Sequence, residues 1–233
     1  MLENIWVIPA LTFASFWLIL FFGKRLPKHG AEVGIAALAV AFALSSVAVF
    51  QWNERPATEV VEPAGQGEGH PGEEEDHATD EEGHALGEVR ALAVEAAVEA
   101  EGAEHEVEPI RQAVERNVTW FSFGDVDVQV GTAVDGLAVV LLFTVTLISL
   151  LVHVFSTNYM HGDVRFTYFF AALSLFTTGM LLLVVSSSLL QALFGWELMA
   201  LCSFMLIGHW WEKKPNSDAA MKAFLTTRTG DIG

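Results

Sequence analysis

The 233-residue chain pairs 52% hydrophobic residues with a net charge of −17, a combination that one homogeneous water-soluble domain does not produce. The charge is local: residues 51–117 hold 19 Asp/Glu and four Arg, whereas the other 166 residues carry 10 acids and eight bases. Long apolar runs with so few charges point to a bilayer, the single Cys202 excludes an internal disulfide and thiolate-caged metal clusters, and the acidic balance leaves no expectation of a nucleic-acid partner.

Ile5 to Phe22 is apolar and long enough to span, since about 20 helical residues cross the roughly 30 Å hydrocarbon core. It does not read as a cleaved signal peptide: acidic Glu3 precedes it, no A-x-A-like site follows, and the bases Lys24, Arg25 and Lys28 lie after it. Further spans are expected over Gly34–Phe50, Val134–Val154, Phe166–Ser186 and Leu189–Trp211, with a sixth helix starting near Ser217. Alternating these spans gathers three basic loops on one side: Lys24, Arg25 and Lys28, then Arg165, then Lys213 and Lys214. By the positive-inside rule that side is cytoplasmic, which puts the N-terminus and the acidic segment outside a plasma (inner) membrane.

Residues 51–117 read as an external acidic insertion, a Gly/Glu/His-rich low-complexity part to about His84 followed by an Ala/Glu/Val part with helical potential to Glu101. His70, His77, His84 and His105 stand among carboxylates but lack the tight spacing of defined metal sites, so a solvated insertion is favoured over metal binding. The Gly65-x-Gly67-x-Gly69 run follows no strand and opens no helix, which excludes a nucleotide loop. Within residues 118–133, Val126, Val128 and Val130 alternate with Asp127 and Gln129 after the turn pair Gly124-Asp125, the pattern of a short external β-hairpin.

The fold class is therefore an all-α polytopic membrane protein: transmembrane helices 1–2 in residues 1–50, then the insertion, then the hairpin, then helices 3–5 and the start of a sixth in residues 134–233. Its intramembrane chemistry centres on Glu197, roughly 12 Å from one end of the fifth span and 21 Å from the other. An ionised carboxylate at that depth must be paired or take up a proton, and either state suits a proton relay; a structural hydrogen bond or salt bridge is the plainer account. The sixth helix is expected to take Ser217 as N-cap, with Asp218 in its first turn. Lys222 lies i+4 from Asp218 and reads equally as a surface partner of it or as an intramembrane charge. Arg228 and Asp231, i and i+3, share one face roughly 17–21 Å along the helix, either as a self-contained pair or as a station in a charged chain. His153 and His209 sit at the inner ends of the third and fifth spans and are expected to be ordinary interfacial side chains rather than proton carriers.

The string Gly195-Trp196-Glu197-Leu198-Met199-Ala200-Leu201-Cys202-Ser203-Phe204-Met205-Leu206-Ile207-Gly208 resembles the fifth helix of the largest antiporter-like membrane subunit of respiratory complex I, the subunit L or chain 5 type. Tyr159-Met160-His161-Gly162-Asp163, Lys222-Ala223-Phe224 and Arg228-Thr229-Gly230-Asp231 agree with it in order and spacing, from about Val134 to Gly233. Ala200, Phe204, Thr227 and His209 depart from the family pattern without removing a charge. The resemblance implies a proton-translocating subunit of NADH:quinone oxidoreductase, in which Glu197 pairs with a lysine on a later helix and Asp231, Arg228 and Lys222 complete the relay. It further implies that other membrane subunits of the complex are partners, that NADH, FMN, iron–sulfur clusters and quinone lie in other subunits, and that this chain is an N-terminal fragment. Subunits of Mrp-type Na⁺/H⁺ antiporters and of membrane-bound hydrogenases share the pattern and are the alternative.

Overall fold

A computed structural model describes residues 1–57, 111–123 and 126–231. The histidines and glycines singled out in the insertion, and the Gly124-Asp125 turn, lie outside them. Among the described residues the chain forms α1 (Val7–Phe22), α2 (Ala31–Asn53), β1 (Val114–Phe123), β2 (Val126–Val134), α3 (Gly136–Tyr159), α4 (Phe166–Val184), α5 (Leu189–Ile207) and α6 (Lys214–Asp231). Helix α1 together with its flanking turns (Leu2–Arg25) and helices α2 to α5 are each long and apolar enough to cross a bilayer, and the chain is an integral membrane protein.

Helix starts follow local chemistry where the apolar runs themselves are uninformative. The Asp135 carboxylate accepts the Ala138 N–H at 2.7 Å and opens α3. Ser188 caps α5 by accepting from Gln191 N–H, and Glu32 reaches back to the Lys28 N–H at the entrance to α2. The sixth helix begins at Lys214 rather than at Ser217. Pro215 sits in its first turn, where a missing N–H costs nothing, and the Ser217 hydroxyl donates to the Trp211 carbonyl instead of capping. Helix α5 ends at Ile207, four residues before the expected Trp211, because Gly208 and His209 turn away.

The strands pair antiparallel from Val114↔Val134 to Phe123↔Val126, with an irregularity between Thr119 and Phe121. The hairpin thus starts four residues before the alternation suggests and takes in Val114 to Asn117. It is tied to the bundle on both sides: Arg116 Nη1 donates to Asn4 Oδ1 at 3.1 Å, Ala133 N–H donates to Val185 O at 3.0 Å, and Gly131 N–H donates to Gln191 Oε1 at 2.9 Å. Beside it the two ends of the insertion meet. Arg111 Nε donates to Arg55 O at 3.0 Å, and Arg55 Nη1 to Gln112 O at 3.2 Å.

At the opposite end of the bundle lie the three basic loops, linked where the Thr167 hydroxyl donates to His29 O at 3.0 Å. Apolar clusters fill both ends, Ile5, Ile8, Trp52, Leu142 and Leu181 near the hairpin and Ile19, Ala31, Phe170 and Ala171 near the basic loops. Between them the helices are joined through hydroxyls: Ser45 with Thr146 at 2.8 Å, Thr178 to Thr12 at 3.0 Å, and Thr177 to Ser149 at 3.2 Å. Such bonds and small residues bind helices where lipid offers no hydrophobic gain from association. His153 belongs to this layer. It is fully buried, with Nδ1 donating to Ser149 O at 2.8 Å and Nε2 facing Ser174 Oγ at 3.3 Å, and so is not an interfacial residue.

Helices α4 and α5 touch backbone to backbone where Gly179 faces Gly195. A Cβ at Gly195 would stand 2.8 Å from Leu183 N and 2.9 Å from Gly179 O, both main-chain atoms that cannot step aside. Gly195→Ala should therefore push α5 off α4 and lower stability by about 1–3 kcal/mol, the usual cost of overpacking, read as a drop in thermal unfolding midpoint in detergent; an unchanged midpoint would show that the contact is looser than described.

Candidate functional site

Seating α5 on α4 leaves Glu197 about 12 Å from Leu189 and about 15 Å from Ile207, at 1.5 Å per residue, nearer the middle of its helix than the longer expected span placed it. Helix α6 runs back alongside and brings Arg228 and Asp231 to the same level. Arg228 Nη1 makes an ion pair with Glu197 Oε2, and Asp231 Oδ2 lies 3.8 Å from the same guanidinium nitrogen. Two of the four residues expected to carry charge through the membrane thus meet Glu197 directly or through one shared cation. The Arg228–Asp231 pair is not self-contained, because the guanidinium bridges two helices.

Lys222 stands apart. It is exposed, and among the described residues no carboxylate, Asp218 included, lies within 4 Å of it. Two side chains not expected at the site join the cluster instead. Trp196 Nε1 donates to Asp231 Oδ1 at 3.1 Å, and the Arg228 guanidinium lies over the Phe224 ring at 4.8 Å, with Phe224 in turn 5.3 Å from Phe204 of α5. An indole N–H in an apolar span needs a partner, and that requirement could have pointed from Trp196 to the neighbouring helix.

The site is partly open. Glu197 retains 35% of its side-chain exposure and Arg228 29%, and Glu197 lines an apolar groove between α5 and the hairpin residues Val118, Trp120 and Val130. A carboxylate pair sharing one guanidinium holds one excess negative charge. Such an arrangement can accept a proton or a second cation without separating charge across the site.

A second charged cluster closes the basic end. Gly162 takes φ +84°, a backbone conformation that favours glycine, and this turn aims Asp163 at the loop after α5. Asp163 accepts from Arg165 N–H at 2.7 Å, from Trp210 Nε1 at 2.8 Å, and from His209 Nε2 at 3.2 Å. Burial acts to raise the Asp163 carboxyl, but these three donors together hold it below its ordinary value. Arg165 forks onto Glu212 through both terminal nitrogens and lies 3.9 Å over the Trp211 ring. That bond from Arg165 pulls the Glu212 carboxyl down to about 2. His209, expected at an interface without a partner, is buried and bonded to Asp163.

Each cluster generates a test. Arg228→Met strands Glu197 and Asp231, and adding Glu197→Gln should recover part of the loss; a double-mutant cycle on thermal stability should return a coupling of about 0.5–3 kcal/mol, and simple additivity would mean the charges do not meet. At the basic end a lowered carboxyl contributes stability that is complete above its ordinary value and is lost as pH falls toward about 2. Trp211 emission, isolated by subtracting a Trp211→Phe sample, should change between pH 4.5 and 2 and stay flat in Glu212→Gln.

Residues 120–170 match the family described as NADH-ubiquinone oxidoreductase (complex I), chain 5 N-terminus, and residues 186–233 match the NADH:quinone oxidoreductase/Mrp antiporter transmembrane family. F(420)H(2) dehydrogenase subunit L of Methanosarcina mazei is 31% identical over 230 residues, 99% of this chain and 26% of that protein. NADH-quinone oxidoreductase subunit L of Pseudomonas aeruginosa is 42% identical over 113 residues, and NAD(P)H-quinone oxidoreductase chain 5 of Synechocystis 41% over 116, about half of this chain and under a fifth of each relative. The chain spans about a quarter or less of the length of these curated relatives. The matched segments contain the α3–α4 turn as well as α5 and α6 with the whole Glu197–Arg228–Asp231 cluster, so the similarity to these NADH:quinone oxidoreductase and Mrp antiporter membrane families takes in every residue of the site.

Proposed function

We propose that this chain is part of a proton-translocating membrane subunit of an NADH:quinone oxidoreductase, working without redox chemistry of its own. The observation that carries the reading is the cluster at mid-span: Glu197, Arg228 and Asp231 share one level of two adjacent helices, with Arg228 between the two carboxylates. In hydrocarbon a lone charge is costly, so charges kept at that depth are expected to move ions or protons. Glu197 is the proton-binding group. When Arg228 is drawn toward Asp231, Glu197 loses its counter-ion and its proton affinity rises; when Arg228 returns, the proton leaves. A lysine on a later helix of the full subunit, engaging Glu197 through the open groove, would drive the exchange.

The remaining roles follow from the same reading. The three basic loops face the cytoplasm and the hairpin with the acidic insertion faces the outside, as the distribution of Lys and Arg in short loops requires. Electron-transfer cofactors and the quinone reside in other subunits of the complex, and other antiporter-like membrane subunits are the lateral partners. Lys222 is assigned to a water-facing or interfacial stretch of the pathway rather than to the cluster.

Glu197→Gln in the full-length subunit, assembled in its complex and reconstituted into vesicles, is expected to cut protons moved per NADH oxidised while electron transfer to quinone continues. Unchanged stoichiometry would overturn the assignment. Sodium-dependent transport without any electron donor would replace it with the antiporter reading.

A further inference from the structure

His209 stands at the basic end of α5, and the Glu197 cycle leaves it unused. Its side chain is 3% exposed, and Nε2 lies 3.2 Å from Asp163 Oδ1. A carboxylate only accepts, so Nε2 carries its hydrogen whether the ring is neutral or charged. Protonation and deprotonation are thereby confined to Nδ1. That nitrogen is buried and meets no hydrogen-bonding partner among the described residues. A buried polar nitrogen in this condition carries the full cost of an unmade bond, and such exceptions call for a functional explanation.

The ring sits among aromatic side chains. Phe169 and Trp210 meet the imidazole edge-on, with centroids 5.4 Å away, and Tyr168 stacks at 6.3 Å. Among the described residues the titratable groups against it are Asp163 from the segment before α4 and Tyr168 from α4 itself, with Arg165 and Glu212 paired to each other nearby in the same loops. Helix α6 approaches this end of α5 through Ala220, opposite Gly208. Arg165 is engaged by Glu212, which leaves the Asp163 carboxylate as the counter-ion of the imidazole.

We infer that His209 Nδ1 is a proton-binding site at the basic end of the bundle, the station where a proton enters or leaves on its way to or from Glu197. The inference rests on the proton-translocating reading above. In the step itself an O–H bond of a protonated water breaks and one N–H bond forms at Nδ1, leaving neutral water and an imidazolium paired with Asp163. Release breaks the same bond, passes the proton to a water molecule and regenerates the neutral ring with its hydrogen on Nε2. Asp163 is a positioning residue: it fixes the tautomer and balances the charge.

The test uses the complete complex in vesicles, with translocation followed against pH on the side of the basic loops. His209→Gln keeps a donor toward Asp163 but cannot titrate; it should lower the rate by about a hundredfold, the modest end of what a positioned proton carrier contributes, and remove the pH inflection. Asp163→Asn should move the inflection to lower pH, because the imidazolium loses its counter-ion. Infrared spectra of complex carrying isotope-labelled histidine supply a readout independent of pumping: an imidazolium band should titrate in the wild type and vanish in His209→Gln, or in His209→Phe, which preserves the ring packing if the first variant fails to assemble. Wild-type rate and pH profile in His209→Gln, or no titrating band lost with His209, would sink the inference. A Glu197→Gln complex that stops pumping beside a His209→Gln complex that does not would remove this station and leave the proposed function standing, whereas normal pumping in Glu197→Gln would remove the function itself.

Discussion

An arginine cannot stand alone in hydrocarbon, and in this chain Arg228 is what the arrangement of α5 and α6 depends on. Its guanidinium pairs with Glu197 across the helix interface and with Asp231 along its own helix. Removing Arg228 leaves two carboxylates without their counter-ion, whereas removing either carboxylate leaves one neutral pair. The packing beneath is arranged to permit this. Gly179 and Gly195 let α5 lie against α4 at main-chain distance, and that approach presents Glu197 toward α6, where Phe224 and Phe204 flank the pair with rings.

The basic end repeats the same chemistry under different solvent conditions. Asp163, Arg165, His209 and Glu212 form two acid–base pairs that cross-link the turn before α4 to the loop after α5. Water reaches much of this cluster, so each exposed bond contributes little by itself. Its effect is geometric. Helix α5 is held at one end by these loops, at the other by the Gln191 bond to the hairpin, and in the middle by Arg228, so a change of charge at the loops or at Arg228 alters the forces on one rigid rod.

Much of this was legible in the residues. Apolar runs bounded by Asp135, Ser188 and the basic loops mark the spans, since the bilayer allows few alternatives to a helix. The membership of Glu197, Arg228 and Asp231 in one functional group was readable as intramembrane charge, and their spatial meeting follows from antiparallel neighbours joined by a short loop. Other features depend on contacts between residues distant in sequence. His209 finds Asp163 only because Gly162 turns the chain toward it, and nothing near either residue signals the pair. The start of α6 was misplaced because Ser217-Asp218 looks like a cap; the proline two residues earlier is equally suited to a first turn and takes that role. The strand residues Val114 to Asn117 are too polar to alternate and pass for the end of the insertion until their pairing with Gly131 to Val134 is seen.

The arginine clasp at the base of the insertion bears on how such a protein can change. Arg55 and Arg111 hold the entering and leaving chain within hydrogen-bond reach of one another, so a change in the number of residues between them need not move the end of α2 or the start of β1. Even counted as a free chain, doubling the length of the intervening segment costs only about 0.6 kcal/mol in closure entropy. The number of residues between the two arginines can therefore change at little cost, while the helices that meet at Arg228 remain under a separate and far stricter constraint.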